Sequence, residues 1–131
     1  HCGCRLDKEF YFEPTDNYIA IPKKYDNEPD YTFIKVLRAM GLKNDLDCMT
    51  LSVLHELGHC QTEKYFTCKE WEKDSQAKDK LEQNYNGNYE EYLIKYWQTK
   101  TENIANEWVV MYANNFIEKC EALEELLILS L

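Results

Sequence analysis

A chain of 131 residues with 44% apolar content is long enough for one compact core, and its formal charge of −9 repels phosphate backbones. Lys and Arg are scattered among the acids without a basic block, so direct nucleic-acid binding is not expected and a protein or peptide partner fits better. No apolar run approaches the ~20 residues of a membrane span, and the expectation is a single soluble domain over residues 1–131.

The chain opens on His1-Cys2-Gly3-Cys4, with neither an initiator Met nor an apolar signal segment. That start reads as cut or processed, and the lack of an export segment makes the cytoplasm the expected compartment. The six cysteines, at 2, 4, 48, 60, 68 and 120, follow no regular framework and are expected as reduced thiols. From 8 to 22, the extended runs "KEFYF" and "YIAIP" flank "EPTDN" and predict an antiparallel β-hairpin.

Residues from about 30 to 131 read as helical. Asp30 is placed to cap a helix with apolar residues at 33, 34, 36, 37 and 40, and Gly41 to stop it. A second helix begins at Asp45 or Asp47 and offers Leu46, Met49, Val53, Leu54 and Leu57 for burial. The charged stretch from Cys68 predicts an exposed helix ending in an Asn/Gly turn near Asn88, a segment suited to substrate or regulator contacts. From Tyr89 the pattern allows one long helix or two, broken near Thr101 or near Asn114-Asn115. The fold class is therefore α+β, mainly helical, with a small antiparallel N-terminal sheet packed on the helices.

The second helix contains "HELGH", with His55 and His59 four residues apart on one face. Two imidazoles at that spacing can converge on one ion, and Glu56, further round the helix, can reach a water beside it as a general base. With three histidines and sixteen glutamates in the chain, the pattern arises by chance in roughly one such sequence in a hundred. A third ligand is needed. An extension with a third histidine would require Gly at 62 and His at 65, where Thr62 and Tyr65 stand. Glu63 would stretch the set over about 12 Å of helix, too long to surround one ion. A carboxylate from another helix is required.

The best source is "TENIANEWVV", where Glu102, Ala105 and Asn106 share a helix face. Ala105 is small enough to let this helix lie against the first, and Asn106 can hydrogen-bond the non-ligating nitrogen of a histidine. Spacing alone leaves Glu102 equally readable as a solvated glutamate. Gly58, beside His59, suggests a close approach by another backbone or by a substrate.

"HELGH", preceded by "NYIAIP" and followed by "ENIANEW", resembles the ImmA/IrrE family of small intracellular zinc metallopeptidases. The resemblance implies a zincin-like fold in which His55, His59 and Glu102 ligate Zn²⁺ and Glu56 is the catalytic base. Ala105 and Asn106 occupy the rest of the second motif. It also implies that Tyr18, Ile19, Ala20 and Ile21 form a strand along the cleft that pairs with an extended substrate. The implied activity is cleavage of a specific intracellular protein such as a transcriptional repressor of a phage or other mobile element. A non-catalytic module gripping a host protein is the other class the residues allow. The connection between the two motifs is longer than the family's, and "YANN", Tyr112 to Asn115, replaces its usual later stretch.

Overall fold

Among the described residues, three strands and five α-helices follow one another: β1 (Gly3–Asp7), β2 (Tyr11–Glu13), β3 (Tyr18–Pro22), α1 (Tyr31–Ala39), α2 (Cys48–Thr62), α3 (Cys68–Gln83), α4 (Tyr89–Trp97) and α5 (Lys100–Leu129). The computed structural model describes residues 3–7, 9–13, 15, 18–22, 31–43 and 46–129, without the side chains of 3, 4, 7 and 117–124. Pro14, Asp16 and Asn17 of the expected turn and the expected caps Asp30 and Asp45 lie outside the described residues. The α+β, mainly helical class is what the chain adopts.

Local chemistry explains most helix ends. Asp47 begins α2, accepting from the Thr50 amide at 2.8 Å. Thr67 and Glu70 form a reciprocal capping box at the start of α3, and Asn88 caps α4. Gly41, at φ +107°, closes α1, with the Leu42 amide reaching back to the Leu37 carbonyl. The start of α5 is capped from a different helix: Asp74 of α3 accepts from the Thr101 amide at 3.0 Å and from its hydroxyl at 2.7 Å.

The break in the helical C-terminal half falls between Trp97 and Lys100, and α5 then runs straight through Asn114-Asn115. Asn114 is a clamp there: it accepts from the Lys43 amide and donates to the Gly41 carbonyl, both at 3.0 Å, tying the end of α1 to α5.

The sheet has the order β1-β3-β2. The expected hairpin is present as β2 antiparallel to β3, its first strand shifted to Tyr11–Glu13. It is joined by β1, which runs parallel to β3 with Gly3 opposite Tyr18, so the sheet is mixed rather than wholly antiparallel. Ile19 and Ala20, on opposite faces of the central strand, are both buried.

The apolar core lies where α1, α2 and α5 meet, built from Phe33, Leu37, Leu42, Leu51, Val109, Val110 and Ala113. Among the described elements, helices α2 and α5 share the most extensive contact. Their closest approach is at Gly58, where a built Cβ would sit 2.8 Å from the Ala105 carbonyl oxygen and 3.2 Å from its Cα. The glycine exists for that approach.

Gly58→Ala tests the packing. Ala should gain about 1 kcal/mol in helix propensity, but forcing backbone apart in a filled core costs about 1–3 kcal/mol. Because the obstacle is backbone, overpacking is expected to win, with a net loss of about 1 kcal/mol or more read from the urea midpoint. An unchanged or higher midpoint would show that the two helices can separate freely. Among the described residues no helix is long and apolar enough to cross a membrane. Cys48 and Cys68 are free thiols.

Candidate metal centre

The face of α2 that meets α5 is polar at one level, and all of its polar groups are buried. His55, His59 and Glu102 are 8%, 6% and 5% exposed, values too low for solvated side chains, and Glu102 is therefore no surface glutamate. Their ligand atoms converge. His55 Nε2 and His59 Nε2 stand 2.9 Å apart, and Glu102 Oε2 is 2.8 Å from the first and 2.9 Å from the second. This buried group could bind a metal ion.

The outer nitrogens show how the rings are held. His55 Nδ1 lies 2.7 Å from Asn106 Oδ1, so Nδ1 carries a hydrogen and donates it, which turns Nε2 towards the other ligand atoms. Asn106 is fully buried, and its Nδ2 has no hydrogen-bond partner among the described residues. His59 Nδ1 is 3.0 Å from Glu63 Oε1, at ion-pair distance but without the alignment of a hydrogen bond.

That arrangement tests whether an ion fits. Two imidazole nitrogens and a carboxylate oxygen point at one another, and a single proton cannot satisfy three mutual contacts. A cation at their centre would. The three edges are a few tenths of an ångström shorter than the ~3.3 Å separating tetrahedral donors at ~2.0 Å from zinc, a difference that small side-chain rotations absorb.

Charge behaves accordingly in the metal-free protein. Burial works against a charged His59, but the Glu102 and Glu63 carboxylates outweigh it and hold the imidazole up at about 10. Burial likewise opposes a charged Glu102, yet its contacts with His55 and His59 hold it well below the usual carboxylate range. A metal ion held by these three groups would compete with a proton for His59 Nε2.

Glu102 also has partners on its outer oxygen. Lys78 Nζ donates to Oε1 at 3.1 Å and the Tyr96 hydroxyl donates to it at 3.0 Å. Lys78 lies in turn 3.2 Å from Asp74 and donates to Thr101 Oγ1 at 2.9 Å. Burial disfavours its ammonium, but Glu102 and Asp74 keep its pKa above the ordinary value.

These groups open on a cleft of about 420 Å³. Phe10 and Phe12 form one wall, Phe33 and Trp97 another, with Phe33 packed edge-on to the His55 ring at 5.7 Å. Glu56 lines the same cleft, and burial raises its pKa despite the neighbouring histidines.

The structure thus brings together His55, His59, Glu102, Glu56 and Asn106, and places Ala105 at the helix contact. The strand assignment needs correction. Tyr18, Ile19, Ala20 and Ile21 lie in the central strand: all four pair with β1 and the first three also with β2, so β3 is not the free edge that an extended substrate would join. The terminal strand on the cleft side is β2.

Four supporting residues, Glu63, Asp74, Lys78 and Tyr96, fall outside the sequence expectations. Glu63 was set aside as a ligand, yet its i, i+4 spacing from His59 is the signal for the orienting contact it makes. Asp74 and Lys78 sit in the stretch expected to be an exposed helix, and both turn inward to support Glu102 and its helix. No protein-family model, curated protein or solved structure matches the chain.

Proposed function

We propose that the chain is a zinc-dependent endopeptidase, related to the ImmA/IrrE metallopeptidases that its two motifs resemble, with His55, His59 and Glu102 as ligands and Glu56 as general base. The observation that supports it best is Glu56: a buried carboxyl group lines the same cleft as three convergent ligand atoms. A site that merely gripped a partner or stored metal would have no need of one there.

Two imidazoles and one carboxylate suit Zn²⁺ better than the oxygen-seeking Mg²⁺ or Ca²⁺. Bound there, such an ion supplies a Lewis acid for the scissile carbonyl and makes a nearby water more acidic. The residues of the chain do the rest. Glu56 accepts the proton of the attacking water and passes one to the leaving amine, work for which a carboxyl with a raised pKa is suited. Asn106 and Glu63 fix the imidazole rings. The aromatic walls limit bulk water, and β2 is the strand positioned to receive an extended segment of substrate.

The proposed substrate is a specific intracellular protein, such as a transcriptional repressor, cut within a short extended segment. Zinc-loaded protein is expected to hydrolyse members of a diverse peptide library, to lose that activity on chelation and to regain it with added zinc. Mass spectrometry of the products checks this. Cleavage that persists in the chelated protein would contradict the reading.

A further inference from the structure

The two oxygens of Glu102 have different partners. Oε2 faces both imidazole nitrogens, at 2.8 and 2.9 Å. Oε1 is turned away and engaged twice, by Lys78 Nζ at 3.1 Å and the Tyr96 hydroxyl at 3.0 Å. Neither donor is free to wander. Lys78 is anchored by Asp74 of α3 and Thr101 of α5, and its ammonium lies 5.1 Å from the centre of the Tyr96 ring. Tyr96 is at the end of α4, two residues before the break that leads into α5.

We propose that Lys78 and Tyr96 are positioning residues that confine Glu102 to ligation through one oxygen, a claim that rests on the metal reading of the site. A carboxylate on a metal can bind through one oxygen or both, and the choice depends on what else competes for the second. Here two hydrogen bonds, one from a cation, compete for Oε1 inside a buried site where charge-assisted bonds are strong. Confined in this way, Glu102 fills one coordination position instead of two and leaves room for a substrate oxygen. Lys78 also draws charge from the carboxylate, which preserves the Lewis acidity that a fully available carboxylate would weaken. The cationic donor of the two comes from α3, the helix between the two motifs. That segment supports the metal site from behind.

Cobalt(II) is the probe, because the intensity of its visible absorption falls sharply as coordination rises from four to five or six. Cobalt-loaded protein is expected to show the intense bands of a four-coordinate ion. The double variant Lys78→Met/Tyr96→Phe, which keeps both side-chain volumes and removes both donors, should still bind one cobalt per chain. Its bands should be several-fold weaker as Oε1 turns to the ion. Tyr96→Phe alone should fall between the two. A double-variant spectrum that superimposes on the unsubstituted protein's would overturn the proposal, and if the double variant does not fold, the Tyr96→Phe spectrum decides by the same criterion. Failure of the unsubstituted protein to bind cobalt would instead refute the metal reading underneath, and the proposal with it.

Discussion

Glu102→Ala is expected to lower zinc affinity by orders of magnitude while α-helical content stays near that of the unsubstituted chain. Two imidazoles alone make a weak site, and the carboxylate supplies both the third donor and the negative charge that offsets the ion. The substitution also strands Lys78 and Tyr96 without their shared acceptor, although Asp74 remains to pair the ammonium. Glu102→Gln keeps the shape and removes the charge, and should lose most of the affinity too. Glu63→Ala is the informative contrast. Glu63 touches the outer nitrogen of His59 and offers nothing to the ion, so its loss should cost about ten- to a hundredfold in affinity, the usual range for an outer partner. Competition titration against a chromophoric chelator measures all three. Full zinc affinity in Glu102→Ala would remove it from the ligand set.

Glu56→Gln is expected to abolish peptide hydrolysis while zinc content and thermal stability are retained. The amide has nearly the same volume and fits the same buried position, but it cannot accept a proton. Losing a general base typically costs about 10²–10⁴-fold in rate, enough to bring a slow, specific peptidase to background. Relieving a buried carboxyl of its desolvation cost should, if anything, stabilise the fold. Undiminished cleavage by zinc-loaded Glu56→Gln would assign the base elsewhere. If Glu56→Gln kept the full biological effect of the protein without hydrolysis, the site would be a binding module.

Much of the centre was legible because it depends on helix periodicity. His55 and His59 must share a face at i, i+4, and Glu102, Ala105 and Asn106 must share one at i+3 and i+4, whatever surrounds them. Gly58 and Ala105 were readable for the same reason: small residues next to ligands signal two helices in close contact, which is where they meet. The α+β class followed from a short extended region and a long helical one.

What was not legible depends on partners distant in sequence. Pairing of β1 with β3 joins residues about fifteen positions apart through no local turn, and it is this pairing that moves Tyr18 to Ile21 from an edge to the centre of the sheet. Asp74 and Lys78 form one i, i+4 pair in a helix crowded with charges, so nothing in the pattern separates the inward pair from solvated ones. Tyr96 is one of ten tyrosines. The cap of α5 comes from Asp74 of another helix, a partner that no sequence-local search for capping residues can reach.

The central claim is that His55, His59 and Glu102 hold a metal ion, and elemental analysis tests it most directly. The chain, purified without chelators, dialysed against micromolar zinc and then against metal-free buffer, should retain about one zinc per chain, and His59→Ala treated identically should retain little. Equal and negligible metal in both proteins would contradict the account, leaving the buried triangle as a proton-shared cluster with no ion to hold.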